Sequence, residues 1–251
     1  MYKILANTIF LGKDVQFMTE CHSTNELAME KIKRKEASEG SVFITDAQTK
    51  GKGQRGSQWW SYPGENLTFS IVLRPVFLRP SQQFLLSKMV CLAIWELLSV
   101  YDRQIKIKWP NDIVHPEAGK LCGVLIENII NQKSVEYSVI GIGLNVNQTD
   151  FPFPKASSLK NLTNIHFDLE EIFGDLISKI EKWYLMLRKG ENQKLDEHYL
   201  SHLFGLGKFA LYDDGEVFEG KIVNISPEGK LIIETQEGVL KNFGLKEVSF
   251  L

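Results

Sequence analysis

The chain has 251 residues, enough for one large domain or two unequal ones. Hydrophobic residues make up 43% and charged residues 24%, the balance of a globular protein whose core can support an enzyme site. A formal net charge of −2, from 29 basic and 31 acidic residues, argues against a dedicated nucleic-acid binder, which carries a basic excess.

Cys21, Cys91 and Cys122 are far apart and form no C-x-x-C pair, so neither a disulfide framework nor a zinc site is expected, and a reducing compartment fits. The five histidines make no H-E-x-x-H pattern. "MYKILANTIFLGKD" has neither the cleavage pattern nor the apolar length of a signal peptide. The most apolar helix candidate, "FLLSKMVCLAIWELL", is interrupted by Lys88 and Glu96, so it is not expected to cross a bilayer. A cytoplasmic protein is the expectation.

In chain order, "STNELAMEKIKRKEASEG" predicts a helix, with Ser23 and Glu26 as a capping box and Gly40 as its stop. "SVFITDA" predicts a strand, and "NLTFSIVLRP" another that ends at Pro75. Residues 82–101 have helical apolar spacing and should cover one face of a sheet. "IKIKWP", "KLCGVLIENII" and "EYSVIGIGLNVN" predict three more strands, the first two separated by the turn "HPEAGK", and the last or its neighbour a candidate sheet edge. Helices are expected near 168–188 and 191–203. From Gly205 the pattern changes to short strands punctuated by Asp214-Gly215, Glu228-Gly229 and Glu237-Gly238, spacings suited to a small barrel. The expected organisation is an α/β sheet domain over 1–204 followed by a small β-barrel over 205–251.

The most unusual stretch is "TKGKGQRGSQWW", residues 49–60, where Lys50, Lys52 and Arg55 alternate with Gly51, Gly53 and Gly56. The three glycines satisfy G-x-G-x-x-G. A dinucleotide site, however, needs a helix opening at the loop, and Pro63 and Gly64 argue against one. A P-loop fails too, because Ser57 and Gln58 stand where Lys and Ser/Thr are required. What remains is a loop able to aim N–H groups and cations at an anion, or simply a solvated basic loop.

Three further segments shift that balance: "KWPNDIV" at 108–114, "AGKLCGVLIE" at 118–127, and "GIGLNVN" at 141–147, whose Asn145 is polar at the end of an apolar strand. Together with "STN" at 23–25 and "QTKGKGQRG" at 48–56, their order and spacing resemble the biotin protein ligases over nearly the whole chain. The resemblance implies an α+β fold: a mixed sheet flanked by helices, similar to class II synthetases, with an SH3-like C-terminal barrel. It implies ATP with Mg²⁺ and biotin as substrates, no tightly bound prosthetic group, and biotinyl-5′-AMP as intermediate. The partner implied is a biotin carboxyl carrier protein, whose lysine receives biotin. DNA is not expected as a partner, since "STN" begins by residue 23 and leaves no room for the family's optional helix-turn-helix domain, and membrane is not expected because no stretch is apolar enough to span it. The protein is expected as a monomer or homodimer.

By the same resemblance Ser23, Thr24, Asn25 and Gln48 contact the biotin ureido ring, which needs uncharged donors and acceptors. Gly51, Lys52, Gly53 and Gln54 belong to a loop closing over biotin and the adenylate, and Gly123 joins them. Arg55 falls on the nucleotide phosphates, Trp59 on adenine, and Asn111 and Asn145 on ATP. Lys120 is the leading catalytic candidate, neutralising the attacking carboxylate and the α-phosphate, with Lys52 beside it. Asp112 is either a Mg²⁺ ligand or a base for the incoming amine. Ordinary capping, turn and packing roles are the alternatives at each position. Gln54 and Ser57 stand where the family commonly has arginines, so a leakier adenylate is expected. The rivals are a lipoyl or octanoyl ligase, whose R-R-x-x-G-G-G-type acyl site is missing here, and a catalytically silent biotin-binding module.

Overall fold

The computed structural model describes residues 7–251, apart from the side chain of Arg55. Its first unit is a seven-stranded sheet built from β1 (Asp14–Cys21), β2 (Ser41–Gln48), β3 (Leu67–Leu73), β4 (Lys106–Lys108), β5 (Asp112–His115), β6 (Gly119–Ile130) and β7 (Val135–Leu144). The spatial order is β1-β2-β3-β7-β6-β5-β4, with β1 and β2 parallel and every other pair antiparallel. The fold is α+β, as expected.

One face of the sheet is covered by α2 (Phe84–Leu98), α4 (Leu169–Arg188) and α5 (Asn192–Ser201). α2 buries twelve of its fifteen residues, and at ~1.5–3 kcal/mol per large apolar side chain it is a principal source of core stability. Its two charges are accommodated rather than exposed to lipid. Lys88, 3% exposed, meets Asp196 of α5 at 2.6 Å, and Glu96 accepts from Trp183 Nε1 at 2.7 Å and Lys182 Nζ at 2.9 Å. Among the described residues no helix is long and apolar enough to cross a membrane.

α1 (Thr24–Lys33) lies on the opposite face. It corrects the sequence reading at both ends. Ser23 is the N-cap residue, but its side chain makes no capping bond, and the Glu26 side chain pairs with Lys52 instead of closing a capping box; the free N–H of Thr24 is met by Gln48 Oε1. The helix stops at Lys33, not at Gly40: Lys35 takes a left-handed φ of 59° and the chain leaves as a loop into β2. β1, β5 and the short α3 (Leu159–Thr163) were not expected from sequence. "HPEAGK" turns β5 into β6, and β7 lies inside the sheet between β3 and β6, so it is not an edge; the edges are β1 and β4.

The chain leaves this unit while still tied to β4, Phe204 N–H donating to Ile107 O at 2.7 Å. It then forms a five-stranded antiparallel sheet: β8 (Phe209–Asp213), β9 (Val217–Ile225), β10 (Leu231–Thr235), β11 (Leu240–Phe243) and β12 (Ser249–Phe250), in the order β11-β10-β9-β8-β12. Tyr212, Ile222, Leu231 and Ile233 of this sheet belong to the same apolar cluster as α2 and the large sheet. Trp109, 5% exposed, crosses between the two by donating to Gly229 O at 2.9 Å, a packing role that keeps it out of any site.

Candidate functional site

A cleft of about 270 Å³ opens where the N-terminus of α1 and residues 48–59 meet β3, β6 and β7. The strands bring Ser70, Gly141 and Leu125 side by side in register. Asn25, 3% exposed, lays its amide across that row. Its Oδ1 accepts from Ser70 Oγ at 2.6 Å, and its Nδ2 donates to Glu127 Oε2 at 2.8 Å and Leu125 O at 3.3 Å. A Cβ on residue 141 would stand 2.3 Å from Asn25 Oδ1, so only glycine lets the amide cross there. Ser70 Oγ also lies 2.7 Å from Thr24 Oγ1, and Gln48 Oε1 accepts from Thr24 N–H at 2.8 Å. This end of the cleft is neutral, polar and rigidly held.

The other end is charged. Lys120 sits on β6 with its backbone pinned on both sides: its N–H donates to Lys155 O at 2.7 Å, and its carbonyl accepts from Ser157 N–H at 2.9 Å. Its ammonium meets Asp112 Oδ1 of β5 at 2.7 Å. Lys52 pairs with Glu26, and this hydrogen bond pulls the Glu26 carboxyl below its ordinary range and pushes the Lys52 ammonium up. Both side chains are 48% exposed, so the pair contributes only ~0–1 kcal/mol and Lys52 can exchange partners at little cost. Lys246, from the loop before β12, also lines the cleft. Lys108 does not: its ammonium lies 4.9 Å over the Phe250 ring, and burial lowers its pKa.

Residues 50–60 form a flap rather than a helix entry. Lys52 and Gln58 bridge antiparallel, Gly53 N–H donates to Ser57 O at 2.7 Å, and Gln54–Gly56 make one 3₁₀ turn between them. Trp59 folds inward from this flap. A Cβ on residue 143 would lie 2.2 Å from Trp59 Cε2, so the second glycine of "GIG" is the floor on which the indole rests. Lys120 Nζ stands 5.7 Å over the indole face, and Trp59 Nε1 is buried without a hydrogen-bond partner.

Of the residues expected from sequence, Ser23, Thr24, Asn25, Gln48, Lys52, Gly53, Gln54, Trp59, Asn111, Asp112, Lys120 and Gly123 all line this one cleft. Gly51 does not line it; it lies behind the flap, where a Cβ would meet Trp59 O at 2.3 Å. Asn145 also stands back from the lining. Its Nδ2 donates to Ser157 O at 2.9 Å, while its Oδ1 is buried and unpartnered. Asn111 lines the cleft and donates to Val124 O, tying β5 to β6. The Arg55 side chain lies outside the described residues. Thr68, Ser70, Glu127 and Lys246 were missed. The first three are strand positions whose polar side chains break an apolar run, the one signal that could have found them.

Among the described residues no three His, Cys, Asp or Glu side chains converge on a metal-sized site. With one Asp112 oxygen engaged by Lys120, the donor set suits a Mg²⁺ that arrives on nucleotide phosphates better than a protein-only cage.

Residues 18–145 match the biotin/lipoate A/B protein ligase family model. The chain is 30% identical over 241 residues to the bifunctional ligase/repressor BirA of Bacillus spizizenii, covering 93% of this chain and 73% of that one. It is 27% identical over 203 residues to the biotin–[acetyl-CoA-carboxylase] ligase of Mycobacterium tuberculosis, covering 78% and 74%. Among solved structures it superposes on the biotin protein ligase of Aquifex aeolicus in complex with biotin and ATP with a TM-score of 0.77 at 27% identity, covering 94% of this chain and 98% of that one. With half of the chain matched by the family model and a 30%-identical relative spanned over nearly all of it, the protein belongs to the biotin/lipoate A/B protein ligase family.

Proposed function

We propose that this protein is an ATP-dependent biotin protein ligase, which makes biotinyl-5′-AMP and passes biotin to a lysine of a biotin carboxyl carrier protein. The observation that carries this reading is a single cleft with a neutral hydrogen-bonding end and a cationic end centred on Lys120.

A ureido ring offers N–H donors and a carbonyl acceptor, and it suits the Ser23–Thr24–Asn25–Gln48 end. The dithiolane of a lipoyl group offers this polar end neither an N–H nor a carbonyl, which disfavours it. The aliphatic tail then directs the carboxylate toward Lys120. In the first step a carboxylate oxygen attacks the α-phosphorus and the bond to pyrophosphate breaks. Lys120 neutralises the two approaching anions, and Asp112 holds its ammonium in place. Asp112, whose Oδ1 is engaged by Lys120, would be the residue to hold an ATP-borne Mg²⁺, which would supply charge screening of the phosphates. The flap carrying Lys52, Gln54 and Arg55 closes over the mixed anhydride and excludes water, with Lys52 leaving Glu26 to do so. In the second step the carrier's lysine amine attacks the acyl carbon, AMP leaves, and the amine proton is lost to solvent or to Asp112.

The test is biotin-dependent exchange of labelled pyrophosphate into ATP, with lipoate as competitor. Exchange with biotin alone supports the reading. Exchange with lipoate alone assigns the lipoyl rival, and biotin binding without exchange assigns a silent binder.

A further inference from the structure

Lys120 reaches the cleft because its strand carries one extra residue. In the β5–β6 pair Asp112 stands opposite Gly123 and Ile113 opposite Cys122, but Val114 stands opposite Lys120, so Leu121 is the extra residue of a bulge. Asp112 and Val114 are two apart and share a face of β5, and their partners Gly123 and Lys120 share it with them. In a regular strand Lys120 and Gly123, three apart, would point to opposite faces; the bulge cancels that offset. Lys120, Asp112 and Gly123 accordingly all line the cleft, while Ile113, Leu121 and Cys122 are buried in the apolar core.

The same two strands admit a competing register. With Val114 opposite Leu121 and His115 opposite Lys120, the ladder would be unbroken and residues 116–119 would form a four-residue hairpin loop, an ordinary connection. That slip would carry the Lys120 ammonium to the face of Ile113 and Cys122, away from Asp112. The turn selects against it. His115 pairs with Gly119 and leaves a loop of only three residues, 116–118. The His115 ring, 6% exposed, folds over this loop, and its Nδ1 accepts from Ala118 N–H at 3.0 Å and Glu117 N–H at 3.3 Å. A backbone N–H only donates, so Nδ1 carries no proton and the ring proton sits on Nε2. Nε2 lies 3.3 Å from Asp102 Oδ2, and Asp102 is itself fixed by Gln104 N–H, which donates to its Oδ1 at 2.8 Å. The imidazole thus ties the turn to the connection between α2 and β4. Gly119, at φ 103°, completes the turn where a Cβ would collide with the Lys155 backbone.

We propose that His115 is a positioning residue for Lys120: by accepting the two N–H groups of the turn it holds the three-residue loop, and with it the bulge that aims the ammonium into the cleft. The consequence for the reaction rests on the ligase reading above; the register of the hairpin does not.

The experiment compares His115→Ala, His115→Asn and His115→Gln with the wild type in biotin-dependent pyrophosphate exchange, and follows the cross-strand nuclear Overhauser contacts of Val114 in isotope-labelled protein. Asn sets a carbonyl oxygen at the Nδ1 position, where it accepts the same N–H groups. Gln fills more of the ring's volume and reaches toward Asp102, but offers no acceptor at that position. Exchange kcat should fall about tenfold in the Ala and Gln variants and stay within about threefold of wild type in the Asn variant, with KM for biotin moving less than about twofold throughout. The Val114 contacts should remain with Lys120 in the wild type and the Asn variant, and move in part to Leu121 in the other two. A Gln variant equal to the Asn variant would mean that the ring only fills space or holds Asp102, and the proposal would fall. It falls equally if the Ala variant keeps wild-type kcat and contacts. The Asn–Gln comparison carries the test if His115→Ala does not fold. Wild-type protein without biotin-dependent exchange would overturn the ligase reading, whereas the Val114 contacts would still decide whether His115 holds the register.

Discussion

Lys120 Nζ and Asp112 Oδ1 stand 2.7 Å apart between neighbouring strands of the large sheet, at the mouth of a cleft whose far end is neutral. In the proposed reaction the pair fixes a cation where the two anions approach. Lys120→Ala should lower biotin-dependent pyrophosphate exchange by about 10²–10³-fold. Biotin affinity should change much less, because the ring end of the cleft is untouched. Equal losses in exchange and in biotin binding would relegate Lys120 to a binding role.

The close approach of Trp59 to Gly143 makes a second test. Gly143→Ala puts a methyl group where the indole lies and should push Trp59 off the cleft floor. Intrinsic tryptophan emission should shift and the KM for ATP should rise, with a stability loss of about 1–3 kcal/mol from overpacking. An unchanged KM for ATP would detach Trp59 from the nucleotide.

Gln54 lines the cleft without a charge, in the flap proposed above to close over the intermediate. Gln54→Arg should slow release of free biotinyl-AMP, measured by chromatography of the filtrate after a single turnover. Release at the wild-type rate would show that charge at this position does not govern retention.

Lys246 reaches the cleft from the loop between β11 and β12 of the small C-terminal unit. Lys246→Ala should raise the KM for ATP several-fold and leave that for biotin unaltered, since a cation in this cleft suits the nucleotide phosphates rather than an uncharged ring. If both constants stay at wild-type values, the small sheet contributes packing alone.

His202 stacks on Trp95 at 3.4 Å between ring centroids, and burial, followed by Lys106 and His198, lowers its pKa from 6.5 to about 4. The folded state therefore binds this proton less tightly than the unfolded state. The stability this provides is present above about pH 6.5 and is lost as pH falls toward 4. In thermal melts the wild type should lose Tm relative to His202→Phe across that window; parallel pH profiles would contradict the assignment.

Much of this protein was legible in one dimension, and the reasons are local. The apolar spacing of 84–98 and the alternation of the C-terminal strands follow from the helix and strand periods, which any folded context preserves. The motif residues of the cleft lie in five short segments, and their order was enough to expect that they meet. What the sequence could not convey was pairing. Ser23 and Glu26 have the spacing of a capping box, but Ser23 makes no capping bond and the Glu26 side chain is drawn to Lys52, more than twenty residues away. Gly141 and Gly143 are needed because Asn25 and Trp59, distant in the chain, rest on them. Nothing next to Glu127 in the chain points to its partner, Asn25, 102 residues earlier. A side chain's hydrogen-bond direction depends on the partner the fold brings to it, and that is decided by tertiary contact, not by neighbours along the chain.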